Sequence, residues 1–201
     1  MSQLLVFVQL GFRHITDPEA IDHMLFLLAL AAIYRPRDWR SSLWVVSAFT
    51  VGHSITLALA VTHAIRFPTP LIEFLIPVTI ALTAIENVVV KERGRSWRAG
   101  GYRPVFAGVF GLVHGAGFAN YLDSLFVRPI ALPLFGFNVG IELGQIVVLV
   151  GAALALLCLD AIIARVPLPA RAPAPLRLRV LAVSGVVALV ATRWAVLRAP
   201  W

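Results

Sequence analysis

Residues 42–65, 70–90, 103–127 and 130–163 form long apolar runs, yet each is interrupted by groups that hydrocarbon does not tolerate. His53 lies within SLWVVSAFTVGHSITLALAV, Glu86 within LIPVTIALTAIENVVV and His114 within VFAGVFGLVHGAGFA; Asn138, Glu142 and Gln145 lie within FGFNVGIELGQIVVLV. Inside a bilayer every backbone polar group must be satisfied within the segment, so runs of this length can only be helices. Ionisable side chains on such helices turn toward the bundle interior, where they bind ions or handle protons. The expected fold is therefore an all-α polytopic membrane bundle with a polar site inside it.

Composition agrees. The 201 residues are 60% hydrophobic and 13% charged, with mean hydropathy +0.88. A soluble domain of this size could not bury so much apolar surface. The net charge of +7 resides in short clusters between apolar runs, which suits topology anchors and excludes a nucleic-acid surface. The single Cys158 rules out an internal disulfide and a thiolate metal cluster. The opening MSQLLVFVQLG lacks a basic n-region, so no cleaved signal peptide is expected.

Apolar segments span 2–15, 20–34, 42–65, 70–90, 103–127, 130–163 and 176–197, about seven transmembrane segments in one domain covering 1–201. The first two are short, roughly 20 Å each if helical. They are read as two short spans, with a re-entrant pair broken at Asp17-Pro18 as the alternative. Arg35, Arg37 and Arg40; Lys91, Arg93, Arg95, Arg98 and Arg103; and Arg165, Arg171, Arg177 and Arg179 mark three basic loops. The alternate loops hold only Arg66 and Arg128, so positive-inside bias puts the carboxyl end outside, in a bacterial inner membrane. Tyr34, Trp39, Trp194 and Trp201 suit interface anchors.

Helix rise places His53 about 20 Å from Arg40, His114 about 17 Å from Arg103 and Glu142 about 20 Å from Arg128, all near the midplane. Glu86, with Asn87 beside it, lies nearer the cytoplasmic face, and His14, Asp22 and His23 are positioned to cap the same cavity. Helical spacing makes Thr79, Thr83 and Glu86 one stripe, Asn138, Glu142 and Gln145 a second, and Ser47, Thr50 and His53 a third. Gly111 and Gly115 beside His114, and Gly136, Gly140 and Gly144 beside Glu142, allow close helix approach. By contrast His63, Arg66, Glu73 and Asp160 sit at helix ends, where a structural role suffices.

Imidazole and carboxylate without thiolate suit nickel, cobalt or zinc, with iron and manganese also compatible, and disfavour copper(I). The expected metal set is His14, Asp22, His23, His53, His114, Glu86 and Glu142, supported by Asn138, Gln145 and Asn87. Partners are membrane lipids and the metal ion, with no nucleic acid; homo-oligomerisation stays open.

Five blocks in order, GFRHITDPEAIDHMLFLLAL, SAFTVGHSITLALA, IEFLIPVTIALTAIENV, FGLVHGAGFA and LFGFNVGIELGQ, resemble the HupE/UreJ family, closest to its HupE/UreJ-2 branch. The resemblance covers about residues 10–150. It implies a small inner-membrane protein of a kind regarded as a secondary nickel or cobalt permease, with that role carried by His14, Asp22, His23, His53 and His114. Here seven residues separate His14 from Asp22, a longer gap than in many relatives. The expected function is transport of a divalent cation. The alternatives are an intramembrane metalloenzyme acting on a lipid or peptide, and a metal sensor or structural subunit. The chain lacks HExxH, GxSxG and any nucleotide-binding loop.

Overall fold

The computed structural model describes residues 2–66, 68–89, 101–123, 130–167, 169 and 172–200, with the side chains of 36 and 119–123 excepted. Lys91, Arg93, Arg95, Arg98, Arg128, Arg171 and Trp201 lie outside the described residues. Seven α-helices occur among the described residues: α1 (Gln3–Thr16), α2 (Ile21–Ala31), α3 (Trp39–Val61), α4 (Thr69–Val89), α5 (Tyr102–Asp123), α6 (Ala131–Ile163) and α7 (Pro175–Leu197). No strand accompanies them there. Helices α3, α4, α6 and α7 are long and apolar enough to cross a membrane. Their outward faces carry large apolar side chains such as Val147, Leu154, Val186 and Leu189, the last 73% exposed. Lipid tails, not water, suit such a surface.

Two helix pairs are built on glycine. A Cβ on Gly52 would lie 2.0 Å from the Gly108 carbonyl oxygen, and one on Gly111 would lie 2.1 Å from that of Phe49. Helices α3 and α5 thus pack backbone to backbone and run in the same direction. The pair α1 and α6 repeats the device: a Cβ on Gly11 would meet the Phe137 carbonyl at 2.0 Å, and one on Gly140 the Val8 carbonyl at 2.1 Å. In lipid, where apolar side chains gain little by leaving the solvent, close backbone approach of this kind drives helix association.

The first two helices form neither a side-by-side pair nor a hairpin. Helix α1 descends α6 from Gly136, beside Leu4, to Gly144, beside Ile15, and meets α2 only around the turn. Helix α2 then continues in the same direction. Its end lies where the α6 terminus lies, because buried Arg179 donates to the carbonyls of Ala32 (3.2 Å) and Tyr34 (2.8 Å) and pairs with Asp160 (2.5 Å). Together α1 and α2 track one course along α6, broken where Pro18 removes a backbone donor after Asp17. The sequence reading of two separate spans missed this because hydrophobic periodicity carries no information about direction.

Arg179 is 2% exposed and ties three segments together. Replacing it with alanine strands the Asp160 carboxylate and two carbonyls, an expected loss of roughly 3–5 kcal/mol. Thermal denaturation of the purified protein in detergent would show it as a clearly lowered melting temperature.

Candidate metal centre

Four imidazoles from four helices converge. The ring centres of His14 and His23 are 4.7 Å apart across the α1–α2 break, and His23 lies 5.5 Å from His114 on α5. His53 on α3 is 6.0 Å from His14 and 6.4 Å from His23. The glycine contacts produce part of this convergence: a Cβ on Gly115 would sit 2.5 Å from the His53 carbonyl, so the residue following His114 touches the His53 backbone itself. Phe26, Phe49, Phe118 and Phe137 wall the cluster, the Phe118 ring lying tilted against His14 with centres 3.9 Å apart. The surround of the cluster is aromatic.

Five ring nitrogens there are buried without a hydrogen-bond partner among the described residues: Nε2 of His14, Nε2 of His23, both nitrogens of His53, and Nδ1 of His114. Buried polar atoms are nearly always paired, and leaving one unsatisfied costs about 1–3 kcal/mol. So many orphans in one place point to a ligand.

The sixth nitrogen with a clear role, His114 Nε2, lies 3.0 Å from the Thr79 hydroxyl. That hydroxyl already donates its proton to the Ile76 carbonyl at 2.7 Å, so it accepts from His114 Nε2–H. This assignment puts the ring proton on Nε2 and the free lone pair on Nδ1, facing the cluster. Thr79 belongs to the polar stripe read from the sequence, but its role as the group that sets a histidine tautomer depends on contact with another helix.

Two imidazoles bound to one ion through nitrogens at about 2.1 Å have ring centres about 4.5–5.3 Å apart in tetrahedral geometry or in cis positions of an octahedron. The 4.7 Å and 5.5 Å pairs meet that spacing nearly as they stand, whereas the His53 pairs must close by about 1 Å to join them in such an arrangement. Correspondingly, no three His, Cys, Asp or Glu side chains among the described residues close around one point in this conformation.

The remaining expected residues occupy other places. Asp22, next to His23, pairs with Arg198 at the end of α7, 3.2 Å away. Glu142 accepts from the Ser47 hydroxyl at 2.5 Å, and Gln145 from that of Thr50 at 2.8 Å, so the α6 and α3 stripes face one another as expected. Thr50 is one turn from His53 and Ser47 nearly two, which sets this ladder between the imidazoles and the arginine-rich end of the bundle. Asn138, a turn above Glu142, keeps a buried, unpartnered Oδ1. Glu86 accepts from Tyr102 and is ion-paired with Arg103, which also donates to Asn87 Oδ1 at 2.7 Å. Asn87 in turn donates to the Ala29 carbonyl and the Ser184 hydroxyl. Glu86 and Asn87 therefore join α4 to α2, α5 and α7 at the arginine-rich end, outside the imidazole cluster. The sequence offered both Glu86 and Arg103 but not their pairing.

Residues 1–198 of the 201 match the family model described as HupE / UreJ protein. This chain belongs to the HupE/UreJ family. With four helices fit to span a bilayer, it is a multi-pass membrane protein. No curated protein and no solved structure matches it. For this family member the fold and site geometry thus stand on its own residues.

Proposed function

We propose that the protein is a secondary transporter of a divalent transition-metal cation such as nickel or cobalt, with His14, His23, His53 and His114 as the binding centre. The observation that carries this reading is the set of five buried imidazole nitrogens, drawn from four helices, that have no hydrogen-bond partner among the described residues. Neutral imidazole suits nickel, cobalt and zinc. The association of HupE/UreJ proteins with nickel and cobalt transport agrees. The basic loops put the arginine-rich end in the cytoplasm of a bacterial inner membrane and the carboxyl end outside.

The broken α1–α2 course supports transport over static storage. Discontinuous membrane helices place backbone and side chains at the substrate site of many transporters, because half-helix ends can move independently. Here the carbonyl end of α1, the negative pole of its dipole, terminates beside His14 and favours a cation. A cation shedding water would be taken by the imidazoles as His53 moves toward the other rings. It would then leave along the Thr50–Gln145 and Ser47–Glu142 ladder, where Glu142 supplies a carboxylate to receive the charge. Asp22 would join the site when it parts from Arg198.

Sealed vesicles containing the purified protein should accumulate nickel or cobalt with saturation. Glu142→Gln, which keeps the size but removes the charge, should abolish accumulation while leaving the imidazoles intact. Absence of saturable uptake by the unaltered protein overturns the transport reading; turnover of a lipid or peptide would replace it with an intramembrane metalloenzyme.

A further inference from the structure

A cavity of about 380 Å³ opens at the arginine-rich end between the end of α2, the start of α3 and the second half of α6. Leu43, Leu149, Val150, Ala153, Leu156 and Leu157 give it apolar walls. Val150 and Leu157 are themselves substantially exposed, so the groove faces outward, where the acyl chains of the bilayer lie. Arg35 and Trp39 also line it, and the Arg40 guanidinium, outside the lining, sits 5.3 Å from the centre of the Trp39 ring. Arg35 and Arg40 are exposed and form no ion pair among the described residues, whereas Asp38 is engaged with the Arg35 backbone N–H at 3.0 Å and with Arg37 at 3.9 Å. Arg179 at the inner wall is spent on Asp160, Ala32 and Tyr34.

We propose that this groove binds one anionic phospholipid of the surrounding leaflet, its acyl chain in the slot between α3 and α6 and its headgroup phosphate on Arg35 and Arg40. An apolar slot with Arg35 in its lining and Arg40 beside the lining Trp39 matches the two parts of such a lipid, and an indole such as Trp39 suits the headgroup boundary. A zwitterionic lipid offers the same chain but a compensating cation at the head. The groove also borders the α3–α6 contact that carries the Ser47–Glu142 bond, so a bound chain would brace the two helices that flank the imidazole centre.

The test is native mass spectrometry of the full-length protein released from micelles containing equal amounts of phosphatidylglycerol and phosphatidylcholine with identical chains. The unaltered protein should retain one phosphatidylglycerol in roughly tenfold preference. The double variant Arg35→Glu with Arg40→Glu, confined to exposed positions, should lose that preference; Ala153→Trp, which fills the slot, should lose the retained lipid altogether. Equal retention of both lipids, or a preference untouched by the double variant, overturns the proposal. Should Ala153→Trp fail to fold, the exposed pair of substitutions still decides.

Discussion

His53→Ala is expected to remove stoichiometric metal from the purified protein, and His114→Ala to do the same. Both rings are fully buried, both present lone pairs with no protein partner, and an alanine at either position leaves the other rings without enough nitrogens to enclose an ion. Each substitution also leaves a cavity against Phe49, so metal content is read on folded protein, with thermal denaturation run beside it. Thr79→Val is the finer probe: without an acceptor for Nε2–H, the His114 tautomer is no longer held, and affinity should fall roughly 10–100-fold. His63→Ala, exposed two residues beyond the end of α3, should leave the metal content unchanged. Metal content after dialysis and calorimetric titration with nickel measure all four variants. Unchanged content in His53→Ala and His114→Ala would end their assignment as ligands.

The helices were legible because the bilayer restricts backbone choice so severely that an apolar run of sufficient length has one outcome. Their ends were less so: α3 begins at Trp39, three residues before the run at 42–65, since Pro36 opens a short 3₁₀ turn that passes directly into it. Which polar faces turn inward was also readable from spacing, and Ser47 and Thr50 do meet Glu142 and Gln145. What spacing cannot carry is the identity of a partner from another helix. Asp22 faces Arg198 from the far end of the chain, and Glu86 faces Arg103, which in sequence looked like a topology charge. The continuation of α1 by α2 was hidden for a related reason, because a break at Asp17-Pro18 reads alike whether the chain reverses or carries on.

Gly52→Ala is expected to disrupt the seam between α3 and α5, with Gly111→Ala beside it. An added Cβ at Gly52 falls 2.0 Å from the Gly108 carbonyl oxygen, and the obstacle is backbone on another helix, so no side-chain rotation relieves it. The α3 and α5 helices must separate, at a cost of about 1–3 kcal/mol or more. Separation carries a second consequence. His53 and His114 ride on those helices, and Gly115 abuts the His53 carbonyl, so widening the seam draws the two imidazoles apart in a site that already needs about 1 Å of closure. Metal affinity should therefore fall together with thermal stability. Gly151→Ala is the matched control: nothing lies within 4 Å of its Cβ, and in a helix interior alanine should stabilise by up to about 1 kcal/mol. Melting temperature and nickel titration on the three variants separate the outcomes. Wild-type stability and metal binding in Gly52→Ala would mean that backbone contact between α3 and α5 does not set the imidazole geometry; loss of metal with stability intact would place the effect on ring spacing alone.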